Sequence, residues 1–151
     1  MYVTGPAVVK SVTGEEVSFE ELGGVEPHGT KSGVTHQVCE TEEQVFEEVR
    51  YLMSFLPQSS AKKPPTFITE DEPNRLIESL DSFIPENRNQ PYDMEKIITD
   101  LVDDGEHYPI QSNYAPNIIT TFSRFNGNTV GIIANQPNEI AGVLDLSLIH
   151  I

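Results

Sequence analysis

Basic residues are scarce in this chain. It carries 9 Lys and Arg against 24 Asp and Glu, a formal net charge of −15 over 151 residues. Such a chain repels a phosphate backbone, which argues against nucleic acid as a partner. An anionic membrane surface is disfavoured for the same reason. No apolar run approaches the roughly 18–20 residues a membrane helix needs, so no direct membrane insertion is expected. Cys39 is the only cysteine, which excludes an internal disulfide and fits a reducing cytoplasm. The opening residues lack a basic stretch followed by a long apolar one, so no secretory signal is expected. Hydrophobic residues make up 37%, low for a globular protein, although the length suffices for one domain with a core.

Local patterns divide what is present. Pro6 suits the first position of a helix reaching Val12. Ser18 and Glu21 have the spacing of a capping box, and Gly23-Gly24 is expected to end that short helix through positive φ. A glycine-rich loop through His28, Gly29 and Gly33 and a strand over 34–39 should follow. Thr41 and Gln44 form a second capping box. Behind it, Val45, Phe46, Val49, Leu52, Met53 and Leu56 recur at helical period as one apolar face, with Pro57 as the stop. Residues 58–73 turn to Ser, Lys, Pro, Thr and acids and read as a linker stiffened by Pro64-Pro65. A helical turn over 76–83 precedes more loop over 85–91. Asp93 caps a helix carrying Met94, Ile97, Ile98, Leu101 and Val102, stopped at Asp103-Asp104-Gly105. Two β-rich runs, 118–125 and 128–134, flank Asn126-Gly127, a strong hairpin signal. The chain reads as the end of one domain joined to the start of another, the second with few core residues of its own.

The chemistry these residues could support is limited. His28, His36 and Cys39 match no zinc spacing, so no metal is expected. Ser32 lies outside any nucleophile elbow, and Glu40 beside Cys39 raises a thiol pKa instead of activating it. The glycines fit no phosphate-binding fingerprint. Acids over 40–48 suit a helix start, whereas Asp103 and Asp104 follow a helix end and suggest a basic partner elsewhere. In 131–145 a buried strand breaks into Asn135-Gln136-Pro137, then a small-residue turn. Backbone amides near Gly142 could there serve an oxyanion; an ordinary hairpin exit explains the same residues equally well.

Residues 1–15, 21–24, His28, 32–36, 51–57 and 91–93 resemble, in order, the carboxyltransferase (beta) subunits of biotin-dependent acyl-CoA carboxylases. The series continues through 102–106, 114–117, Arg124, Gly127, 130–131, 134–137 and 141–145. The propionyl-CoA carboxylase and methylmalonyl-CoA decarboxylase type is the most similar. The resemblance implies an α/β, crotonase-like (ClpP/crotonase) fold. Residues 1–57 would be the end of a first such domain, 58–92 an interdomain linker, 93–146 the start of a second, and 147–151 a tail outside the family pattern. It implies carboxyl transfer between biotin on a separate carrier protein and an acyl-CoA, with no metal at this step. Implied partners are the biotin carboxyl carrier protein, biotin carboxylase or membrane decarboxylase subunits, and copies of the chain in a hexamer.

The family's oxyanion loops are expected outside this chain, so no catalytic residue is assigned. The resemblance marks Ala134, Asn135, Gln136, Pro137, Gly142, Val143 and Leu144 as lining of the biotin-side pocket. Gly23, Gly24, Ser32 and His36 are expected to pack the first domain. The usual aromatic and acidic residues are replaced over 107–109, and Thr121 stands where glycine is usual. The chain is expected to be a piece of a larger subunit, inactive alone. Two rivals stay open, a short interface or assembly protein of the same ancestry and a subunit of a sodium-coupled decarboxylase; the Pro-containing linker argues against a third, a crotonase-like hydratase or isomerase fragment.

Overall fold

The computed structural model describes residues 2–87 and 89–151, with the backbone alone at His150. Met1 and Arg88, which fall in the matched opening segment and the 85–91 loop, lie outside the described residues. Five helices come first: α1 (Pro6–Thr13), α2 (Phe19–Gly23), α3 (Val25–Thr30), α4 (Glu42–Ser54) and α5 (Met94–Leu101). Strands β1 (His107–Ile110), β2 (Ile118–Phe125) and β3 (Asn128–Asn135) follow. They form a three-stranded antiparallel sheet in the order β1-β2-β3.

Both capping boxes form. The Ser18 and Thr41 hydroxyls accept the N–H groups of Glu21 and Gln44, each at 3.2 Å, relieving orphan donors at the helix starts. Asn126 (φ 48°) and Gly127 (φ 73°) make the hairpin turn. Asp103 Oδ1 and Oδ2 accept the N–H groups of Asn126 (2.9 Å) and Gly127 (2.7 Å). The partner of Asp103 is therefore a turn of backbone amides and not a basic side chain.

Several expectations fail for identifiable reasons. Gly24 does not take positive φ; it is extended (φ −77°, ψ −171°) and caps α3, which replaces the expected loop. The Glu20 carboxylate accepts the Val25 N–H at 2.9 Å, and a Cβ on Gly24 would sit 1.9 Å from that carboxylate. The glycine serves close approach there. Residues 34–39, expected as a strand, join no sheet and bend at His36. They touch β1 and its exit through Gln111 N–H to His36 O (3.1 Å) and Gln37 Nε2 to Pro109 O. β1 is not among the strands expected from the sequence; its Pro109 lacks a ladder donor, and a sheet edge is where proline is tolerated.

The largest departure concerns α4. Its predicted apolar face is open: Val45, Phe46, Val49 and Met53 are 44–55% exposed. The helix meets the sheet along a narrower edge through Tyr51 and through Phe55, the first residue past its end. Phe55 is fully buried, with its ring 5.1 Å from Tyr51, 6.0 Å from Phe122 and 6.3 Å from Tyr108. Arg124 lies 4.1 Å above the Phe55 ring and 4.1 Å above Phe67, and donates to Ser54 Oγ at 2.7 Å. Phe67 N–H also donates to Gly127 O at 2.9 Å. The segment read as a linker is thus docked on the hairpin at this point. Ile98, Val102, Tyr108, Tyr114 and Ala115 complete the buried apolar set. The core therefore lies with α5, the sheet and Phe55, in the half expected to have little core. A compact monomer of 16.8 kDa exposes roughly 7,700 Å2, whereas this chain exposes 10828 Å2.

Candidate functional site: the loop after the hairpin

The β2–β3 ladder closes with Ile118 opposite Asn135. Gln136 N–H adds one more bond, to Asn117 O at 2.9 Å. Pro137 has no N–H to continue it. The chain then turns through three successive left-handed residues, Ile140 (φ 48°), Ala141 (φ 53°) and Gly142 (φ 66°). A β-branched residue in that region is strained, and such strain persists only where the surroundings over-determine it.

Three carboxamides do the determining. Asn135 Nδ2 donates to Gly142 O at 2.6 Å. Asn117 Nδ2 donates to Val143 O at 2.6 Å, from a side chain that is fully buried. Gln136 reaches the other way. Its Nε2 donates to Asp93 Oδ1 (2.8 Å) and its Oε1 accepts the Met94 N–H (3.0 Å), tying the loop to the start of α5. The side-chain amide groups of Asn135 and Gln136 thus shape the scaffold. Ile140, Val143 and Leu144 point their apolar groups outward, 56–65% exposed.

The Gly142 amide is engaged within the turn, donating to Glu139 O at 2.8 Å, and Val143 N–H donates to Ile140 O at 3.1 Å. The amides suggested for an oxyanion therefore have partners in this structure. Asp145 closes the loop. The Ser147 hydroxyl holds its carboxyl below the usual carboxylate range; slight desolvation opposes this, and the Ser147 N–H and the Asn117 amide reinforce it.

Of the residues marked for the pocket, Gln136 also lines a cavity of about 210 Å3 with Glu95, Thr120 and Glu139. A second, mostly apolar groove of about 240 Å3 lies between α4 and β1, bounded by His36, Cys39, Val49 and Tyr108. Gly23 is buried and His36 lines this groove, while Ser32 Oγ lies 3.0 Å from His28 Nδ1. Among the described residues no group of three His, Cys, Asp or Glu side chains is placed to hold a metal ion. No helix among them is long and apolar enough to cross a membrane. In the sequence Asn117 stands out only as the last residue of the 114–117 motif. Its role emerges from the register that sets it beside Gln136, which a linear reading does not supply.

The profile described as the carboxyl transferase domain matches residues 1–147, and the chain belongs to that family. Within it, the chain is 52% identical to the methylmalonyl-CoA decarboxylase subunit alpha of Veillonella parvula over 147 residues. It is 49% identical to the propionyl-CoA carboxylase beta chain of Roseobacter denitrificans over 146 residues. Each match covers 97% of this chain and 29% of the relative. The chain therefore spans under a third of those relatives' length. Among solved structures, the transcarboxylase 12S hexamer core with methylmalonyl-CoA and methylmalonic acid bound superposes with a TM-score of 0.93 at 37% identity. That superposition covers 97% of this chain and 28% of that one. The fold is the α/β, crotonase-like carboxyltransferase fold expected from the resemblance.

Proposed function

We propose that this chain forms part of a carboxyltransferase that moves a carboxyl group between carrier-bound biotin and an acyl-CoA of the propionyl or methylmalonyl type. The observation that carries the reading is the match of residues 1–147 to the carboxyl transferase domain, with relatives of that type at 42–52% identity. Residues 1–57 belong to a first crotonase-like domain, 58–92 to a connection and 93–146 to a second. The 147–151 stretch stands apart from the family pattern.

In this reading the loop faces biotin. Ala134, Asn135, Gln136, Pro137, Gly142, Val143 and Leu144 carry no charge, and the exposed Val143 and Leu144 suit a neutral bicyclic ring with an aliphatic tail. Biotin, when bound, supplies the ureido nitrogen that carries the carboxyl group. The chain's own contribution is a rigid, uncharged wall, held by Asn117, Asn135 and Gln136. A carrier protein, a biotin carboxylase or membrane decarboxylase subunits, and further copies in a hexamer are the partners. The cytoplasm is the site of action. A decarboxylase subunit is the second reading, favoured by the 52% identity to the Veillonella parvula protein.

The test exchanges residues 1–147 for the matching segment of that Veillonella subunit and measures carboxyl exchange between methylmalonyl-CoA and free biotin. Exchange that requires biotin supports the reading. An assembled chimera that turns over acyl-CoA without biotin, or transfers nothing, overturns it.

A further inference from the structure

We infer that Asn117 is a positioning residue for the biotin-side loop. It holds the residues that contact biotin without touching biotin itself. The inference rests on the reading of residues 134–137 and 142–144 as the biotin-side wall.

Asn117 sits at the foot of β2, one residue before the paired ladder begins. Only 1% of it is exposed, so it has no surface role of its own. It makes contacts in two directions. Its backbone carbonyl accepts the Gln136 N–H at 2.9 Å, fixing where the loop leaves β3. Its side-chain Nδ2 donates to Val143 O at 2.6 Å, fixing where the loop returns. The same carboxamide also helps hold the Asp145 carboxyl ionised, behind Ser147. One residue thus ties both ends of the strained turn to one strand, the exit through its backbone carbonyl and the return through its side chain.

The neighbouring carbonyl, Gly142 O, is held in parallel by Asn135 Nδ2 at 2.6 Å. With two consecutive carbonyls drawn inward, the Val143 and Leu144 side chains are left facing out. Neither an alkyl nor a carboxylate side chain could replace the carboxamide. An alkyl group leaves Val143 O without its donor, and a carboxylate sets negative charge against that oxygen. Misplacement of a positioned wall by about 1 Å costs up to about 100-fold in transfer.

The experiment uses the exchanged subunit described above, with free biotin and methylmalonyl-CoA as the two substrates and hexamer assembly checked by size. Asn117→Ala and Asn117→Asp are expected to raise KM for biotin by about 10- to 100-fold while KM for methylmalonyl-CoA stays within about twofold. Asn135→Ala, which releases the adjacent carbonyl, should give the same split more weakly and serves as the readout if the Asn117 variants do not assemble. Leu144→Trp, an exposed change, tests the wall directly. If it raises KM for biotin while the Asn117 and Asn135 variants leave it unchanged, the positioning role is wrong and the wall stands. If Leu144→Trp also leaves KM for biotin unchanged, the biotin-side reading falls and takes this inference with it. Equal rises in both KM values for Asn117→Asp would mark a merely structural residue and also overturn the proposal.

Discussion

The first forty residues and the hairpin unit are built on opposite terms. α1 keeps every residue at least partly exposed, with Val8 at 49% and Val12 at 77%, and α2 and α3 bury only glycines. These helices stand on caps, turns and short-range bonds. The hairpin unit instead closes around Phe55, Val102 and Tyr108, and adds buried Asn117, Thr121 and Ser123, each of the three with a hydrogen bond. The difference teaches that an apolar period shows which face a helix can bury, and not which face it does bury. α4 spans the two regimes. Its edge belongs to the core, while its broad face, Val45, Phe46, Val49 and Met53, stays 44–55% exposed, with Val45 and Val49 bordering the groove against β1.

The contrast can be broken by mutation. Phe55→Ala should cost about 3–5 kcal/mol in urea denaturation of the chain. Val12→Ala should stay within about 0.5 kcal/mol; equal costs would erase the distinction. Arg124→Met removes the guanidinium between the Phe55 and Phe67 rings and its bond to Ser54. It should cost about 2–3 kcal/mol and speed trypsin cleavage after Lys62, since the Phe67 ring loses its cation. Gly127→Ala would place a Cβ 1.9 Å from Phe67 O at φ 73°, so it should release the same segment at a cost of about 1–3 kcal/mol. Thr41→Ala removes the cap of α4 and should cost about 1 kcal/mol, read as faster amide exchange over the first turn.

The smallest effect is alkaline. Burial raises the Tyr51 phenol above its ordinary value of 10.0, aided by Glu106 and opposed by Arg124. Burial also raises that of Tyr108, aided by Glu48 and Cys39. A raised folded-state pKa means the folded chain holds its proton longer than the unfolded one. This stabilisation is present in full below the unfolded value and is lost as pH rises through the folded values. Stability should therefore fall above about pH 10, and Tyr51→Phe with Tyr108→Phe should flatten that fall. An unchanged slope would show that the two phenols titrate alike in both states.

Much of the fold was legible. Both capping boxes, the Asp93 cap, the Asn126-Gly127 turn and the strands around it could be read because each is a local signal, complete within a few residues. What escaped depended on distant partners. α3 was hidden because glycine, proline and histidine look like loop, while its start is fixed by the Glu20 carboxylate and an extended Gly24. β1 was hidden by Pro109, and the role of Asp103 by its separation of 23 positions from Asn126. At the candidate site, the motif around Asn135 and Gln136 could be recognised. Which atoms hold and which face outward could not, because Asn117 enters only through strand register.

The loop after the hairpin is proposed to face biotin. The most direct measurement is a structure of the exchanged subunit with biotin bound. The expected result is the biotin ring against Val143, Leu144 and the 134–137 strand exit, with Asn117 Nδ2 still on Val143 O. Biotin bound elsewhere with this loop in solvent would contradict it.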